Sequence, residues 1–149
     1  MSTRSCIARL RGDGFQGVYH HWDGYPRSLG KTLWTLAQTW PLDLMLKTLI
    51  DDHPAGWSTI NKADWSLSPG FIESITKSNS HRAECYCHGD RHEVPQPVTQ
   101  ADDMGMEWAY VFDEDAKSLT VLERYSAGHH MTGMFGTGTP GNQQWIVRI

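Results

Sequence analysis

Tyr19-His20-His21-Trp22-Asp23-Gly24-Tyr25-Pro26 sets imidazoles, an indole, a carboxylate and phenols between a strand-like run and a helix-like run. Upstream of it, Phe15 to Asp23 reads as a strand. Period two puts Phe15, Gly17, Tyr19, His21 and Asp23 on one face and Gln16, Val18, His20 and Trp22 on the other. A strand reaching Asp23 aims His21 and Asp23 the same way and sends Trp22 toward the core. Gly24 is then the residue expected to take positive φ in the turn.

Working outward, Ser5 to Arg11 is the preceding strand, joined through the hairpin signal Gly12-Asp13-Gly14. On the other side, Ser28 is a candidate helix cap. Leu29, Leu33, Leu36 and Trp40 form one apolar stripe at helical spacing. Pro41 ends that helix or begins the next. Leu42, Met45, Leu46, Leu49 and Ile50 form a second stripe, closed by Pro54-Ala55-Gly56. The spacing predicts two amphipathic helices joined by a tight corner.

Residues 56 to 80 read as loops with one short element at Phe71–Ile75. A strand is expected around Arg82 to Cys87, and a long surface loop from Gly89 to Gly105. Glu107 to Asp113 is rich in aromatic and β-branched residues and reads as a strand. Leu119 to Tyr125 is its returning partner, and Trp145 to Ile149 a final short strand. The glycine-rich stretch between them carries His129 and His130 and reads as an exposed loop or a flap over a site. The expected fold is α+β. It is a mostly antiparallel sheet with an N-terminal hairpin, two packed amphipathic helices on one face and a C-terminal hairpin.

Bulk properties bound the function. A chain of 149 residues suits one domain over 1–149. That size needs neither metal nor disulfide merely to fold. A net charge of −4 argues against a non-specific grip on DNA. Seven Trp exceed what a core requires and suit stacking on flat ligands. Cys6, Cys85 and Cys87 are an odd set, and the last two are too close for a comfortable mutual disulfide. A reduced, cytoplasmic setting is expected. The N-terminus lacks the apolar run of a secretory signal, and no run approaches the ~18 residues of a membrane span.

The residues that carry chemistry admit competing readings. His21 and Asp23 on one strand face could share a ligand or act as an acid–base pair, with Tyr25 close by. They could equally be a structural imidazole and a turn cap. Gly30-Lys31-Thr32 resembles the end of a phosphate-binding loop. That loop needs its first glycine at position 25, which is Tyr, so a nucleoside triphosphatase is rejected. Lys31 near a helix start can still assist an anion. Cys85, Cys87, His88 and His92 are a ligand set that zinc accepts. Cys-x-Cys is unusual for such a site, however, and strand alternation sends His88 away from the two cysteines. The expectation is a strand and polar loop with no cofactor, zinc being the alternative. Asp90-Arg91 can be an ordinary ion pair, or Arg91 can contact a phosphate or carboxylate.

Thr3-Arg4-Ser5-Cys6-Ile7-Ala8, then Val18 to Pro26 with its HWDGYP core, then Gly30-Lys31-Thr32-Leu33, together resemble a group of small uncharacterised proteins. They come from bacteriophages, prophages and bacteria and carry a TRSxIA strand and a Y-x-HWDGYP signature. Tyr86 to Glu93 is similar to a diverged second segment of that family. Glu107 to Asp113 is similar to its late aromatic strand. The resemblance implies a phage-linked setting in a bacterial host cell. That setting suggests counter-defence as a role: sequestering a nucleotide-like signal or blocking a host defence protein.

Two functional expectations follow. The first is a binding protein for a small anionic or nucleotide-like ligand, or for a host protein. Its contacts would be Arg4, Tyr19, His21, Trp22, Asp23, Tyr25, Lys31, Asp90 and Arg91, and self-association is left open. The second is a small hydrolase or transferase using His21, Asp23 and Tyr25. No G-x-S-x-G or H-E-x-x-H motif supports it.

Overall fold

The computed structural model describes residues 3–12, 14–61, 84–86, 98–99, 106–123 and 144–148. Within them the fold is mixed α+β. Strands β1 (Ser5–Arg11) and β2 (Gly14–His20) form the N-terminal hairpin. Helix α1 (Lys31–Thr39) is entered through a π-helical turn at Pro26–Gly30. Helix α2 (Leu42–Leu46) runs on into a second such turn at Lys47–Asp51. The remaining strands are β3 (Trp57–Thr59), β4 (Glu84–Cys85), β5 (Val98–Thr99), β6 (Trp108–Asp113), β7 (Ser118–Glu123) and β8 (Gln144–Arg148).

The eight strands among the described residues join one sheet, ordered β4-β3-β2-β1-β6-β7-β8, with β5 also paired to β2. The hairpin register pairs Ile7 with Val18 and Arg9 with Gln16, and Gly12 takes φ +58 at its turn. Strands β6, β7 and β8 pair antiparallel in succession. The departure from the expected antiparallel sheet lies at its centre. Strand β1 runs parallel to β6, with Ile7 opposite Tyr110, and β2 meets β3 in parallel at His20 and Trp57.

Ser5 to Arg9 are buried on both faces, as a central strand must be. On one face Ile7, Val18, Tyr110, Phe112, Leu119 and Val121 meet the helix stripes Leu29, Leu33, Leu36, Met45, Leu46 and Leu49. Each fully buried Leu or Ile there contributes about 1.5–3 kcal/mol over leaving it in water. The opposite face holds a second cluster of Cys6, Ala8, Phe15, Val98, Ala109, Val111 and Leu122. Trp57 is buried beneath α2's trailing turn and donates its indole N–H to the Leu49 carbonyl at 2.8 Å.

The entry to the first helix differs from expectation in two ways. Pro26 takes the first helical position and Tyr25 makes no side-chain cap. Ser28 therefore lies inside the first turn, where its carbonyl accepts the Thr32 hydroxyl at 3.1 Å. Asp23, not Gly24, adopts positive φ, at +53. Asp tolerates that region better than most residues. Gly24 is required for space instead, since a Cβ there would collide with Ser5 and the Thr3 carbonyl.

Asp51 and Asp52, at the end of the second helical run, each hold a cation. Asp51 Oδ1 pairs with Arg9 Nη1 at 2.8 Å and Asp52 Oδ2 with Lys47 Nζ at 2.8 Å. The expected short element at 71–75 and the stretch with His129 and His130 lie outside the described residues; of the expected loop 89–105 only Val98–Thr99 are described, and they form β5, not loop.

Tyr110 is buried and donates its hydroxyl to the Gly24 carbonyl at 2.6 Å. Tyr110→Phe removes that donor and strands a buried carbonyl. It is expected to lower unfolding free energy by about 1–3 kcal/mol, measured by urea denaturation at pH 7.5. Unchanged stability would show that the hydrogen bond does not hold the loop.

Candidate functional site

The regular pairing of β2 ends at His20, but its backbone continues along β3. The His21 N–H reaches the Trp57 carbonyl at 3.1 Å and the Trp22 N–H reaches Ser58 at 3.0 Å. Alternation holds as far as His20: Val18 belongs to the helix-side core and Phe15 to the opposite cluster. Tyr19 packs against that opposite cluster. His21 joins it there, with its Nδ1 2.6 Å from the Tyr19 hydroxyl and the ring centroids 5.7 Å apart.

Arg4 completes this group. It is exposed just ahead of β1, and its carbonyl takes the Glu107 N–H at 2.8 Å. Burial pushes the Tyr19 hydroxyl above its ordinary value. The Arg4 guanidinium opposes that shift by charge and by a hydrogen bond, while the Tyr86 phenol adds to it. Arg4, Tyr19, His21 and Tyr86 thus share one neighbourhood on the face away from the helices. Tyr86 is placed by its N–H, which donates to the Gly56 carbonyl at 3.0 Å.

Trp22 corrects the expectation of a core indole. It is 44% exposed and meets the His21 ring edge-on, with centroids 4.6 Å apart. The reason is that strand geometry stops before it. Asp23 is exposed beyond the strand end with its backbone in the left-handed region, so period-two alternation does not carry it alongside His21. The Asp23 carbonyl is tied down, accepting the Leu29 N–H at 3.3 Å and the Asn61 amide at 3.3 Å. The same amide reaches the Trp22 carbonyl at 3.4 Å.

Tyr25 and Lys31 sit at the helix entry. The Arg27 guanidinium lies 5.4 Å from the centre of the Tyr25 ring, and Lys31 is exposed. Among the described residues no hydrogen bond or ring contact joins either to the Arg4–His21 group. Asp90, Arg91, Cys87, His88 and His92 lie outside the described residues. Cys85 is buried in β4. Among the described residues no group of three or more His, Cys, Asp or Glu is placed to hold a metal ion. Within the same residues no helix is long and apolar enough to cross a membrane.

Sequence reasoning missed Tyr86 and Asn61. Tyr86 follows a strand only two residues long, and Asn61 follows one of three. Neither carries a local pattern that points to the site.

No protein-family model matches the chain, and neither the curated proteins nor the solved structures contain a match.

His20 stands directly behind the site and is fully buried. Its Nε2 accepts the Ile60 N–H at 3.1 Å, which requires the neutral ring. Burial, helped by the neighbouring His21, lowers its pKa from 6.5 to about 3. Between those values the unfolded chain binds a proton that the folded chain refuses. Its contribution is therefore complete above about pH 6.5 and is lost as pH falls toward 3, at up to about 1.4 kcal/mol per pH unit. Urea titrations from pH 7.5 to 4.5 are expected to show falling stability. His20→Gln is expected to flatten the slope by up to one proton. An equal slope in the variant would remove His20 as the cause.

Proposed function

We propose that the chain is a small binding protein that holds an anionic, nucleotide-like ligand on the Arg4–Tyr19–His21–Trp22 face. The observation that carries this reading is the half-exposed Trp22, seated edge-on against His21 in the neighbourhood of the Arg4 guanidinium. Stacking of a base on an exposed aromatic contributes about 1–3 kcal/mol. A guanidinium pairs with phosphate in a two-pronged geometry that a lysine does not match. The Tyr19–His21 hydrogen bond fixes the imidazole beside the indole, so the face loses little freedom on binding.

The resemblance to the phage and prophage proteins with the HWDGYP signature supplies the proposed setting. It is the cytoplasm of a bacterial host, with counter-defence as the role and sequestration of a host nucleotide signal as the means. Blocking a host defence protein through the same face is the variant of this reading without a small ligand. Lys31, Asp90 and Arg91 are proposed as outlying contacts. A hydrolase or transferase built on His21 and Asp23 has less support, because Asp23 lies past the strand end with its backbone in the left-handed region.

The test combines thermal shift with quenching of tryptophan fluorescence across a panel of mono-, di- and cyclic nucleotides. At least one is expected to bind and to be recovered intact after denaturation. Trp22→Ala and Arg4→Gln are each expected to weaken it about tenfold, the equivalent of 1.4 kcal/mol. Recovery of a converted product would replace the binding reading with the enzymatic one. A panel with no binder would remove the nucleotide-like ligand.

A further inference from the structure

A second cleft lies on the helix side of the sheet, at the far end of the hairpin from Trp22. It has a volume of about 230 Å³ and is lined by Arg9, Arg11, Gln16, Val18, Asp51 and Pro54 among others. Residues 9 and 11 project from the same face of β1, and Gln16 stands opposite Arg9 in the hairpin register. The helix pair ends at Asp51, which leaves this corner of the sheet open.

The two guanidiniums differ in freedom. The Arg9 side chain is only 10% exposed and is held by one hydrogen bond, Nη1 to Asp51 Oδ1 at 2.8 Å, with Glu114 Oε1 3.1 Å from Nε as a charge contact that lacks hydrogen-bond geometry. Arg11 is exposed and makes no hydrogen bond or ion pair among the described residues. The lining carries two cations, Arg9 and Arg11, and one carboxylate, Asp51, while Glu114 pairs with Arg9 from outside that lining. A neutral molecule with separated charges meets both signs there, each of its ends opposite an unlike charge.

We propose that this cleft binds a small zwitterion of the amino-acid type. Its carboxylate sits on Arg11 and the outer edge of Arg9, its ammonium group on the Asp51 carboxylate. The Gln16 amide offers one donor and one acceptor beside them. The volume falls below the ~300–1,000 Å³ of pockets for drug-sized ligands, which fits a molecule of metabolite size. The hydrogen bond that holds Arg9 before any ligand arrives lowers the ordering cost of binding. This site is separate from the Arg4–Trp22 face and does not depend on what binds there.

Titration calorimetry on the full chain at pH 7 tests it, with the free amino acids, acetate, ethylamine and inorganic phosphate as probes. At least one amino acid is expected to bind with a Kd below about 1 mM. Acetate and ethylamine, each carrying half of the charge pattern, are expected to bind at least tenfold more weakly. Arg11→Gln is expected to weaken the amino acid at least tenfold, and Arg11→Glu to abolish its binding. Arg11 is exposed, so circular dichroism should find both variants folded. Three results would each overturn the proposal: no amino acid binds, acetate or phosphate binds as tightly, or Arg11→Glu binds as the parent does.

Discussion

The Gly24 peptide is gripped at both ends, and the positions of the helices and of the candidate site follow from that grip. Its N–H donates to the Thr3 carbonyl at 2.8 Å and its carbonyl accepts the Tyr110 hydroxyl at 2.6 Å. Burial raises the pKa of that hydroxyl, so it remains a donor throughout the range in which the protein is handled. A buried phenol needs a partner, and a buried carbonyl needs one too. The bond answers both needs. It exists only because β6 lies parallel to β1 and brings Tyr110 opposite Ile7, on the face that the helices cover. One side chain from the distant half of the chain thus fixes the point where the hairpin ends and the first helix begins.

Consequences run in two directions from that point. Toward the helices, Pro26 starts the first turn immediately and the apolar stripe from Leu29 is delivered onto Ile7 and Val18. The π-helical turn absorbs the difference between where the loop is tied and where the stripe must face. Toward the open face, Thr3 is held against Gly24, so Arg4 emerges beside Tyr19 and His21. The candidate site therefore sits on a loop tied by hydrogen bonds to Thr3 and Tyr110. Asn61 adds to the bracing through the carbonyls of Trp22 and Asp23.

Much of the fold was legible because its signals are local. Alternation identified β1 and β2, aromatic and β-branched composition identified β6 with β7 as its return, and the 3.6-residue stripes identified both helices. The parallel pairing of β1 with β6 carries no local mark, since it joins residues 5–9 to residues 108–112. Strands β3 and β5 were missed because three and two residues are too few for a period to show. Trp22 was misassigned by extending alternation past the last residue that obeys it. Ser28 and Gly24 have the chemistry of a cap and of a flexible turn. Pro26 had already taken the helix start, and Gly24 was needed for closeness to Ser5 and Thr3, not for positive φ. Of the site, Tyr19 and His21 were readable because period two puts them on one strand face, whereas Arg4 reads only as an anion contact and is not placed beside them. Tyr86 was not readable, since it arrives from a strand of two residues.

The paired histidines show how one strand divides structure from function. His20 and His21 are adjacent and chemically identical, yet the pleat sends them to opposite faces. His20 faces inward, and its acceptor nitrogen closes the main chain at Ile60. Charging it would cost both desolvation and that hydrogen bond, so it works only as the neutral ring. His21 faces the other way, with a phenol on one nitrogen and an indole edge against its plane. A proton on His20 would loosen Ile60, and Asn61 next to it braces the loop that carries Trp22 and Asp23. The inward imidazole therefore links the stability of the fold to pH, while the outward one lies on the candidate face. Exchanging the two roles would need a shift of one residue in the register of β2. That shift would carry Val18 to the opposite face and drive Tyr19 into the helix-side core, which is already filled.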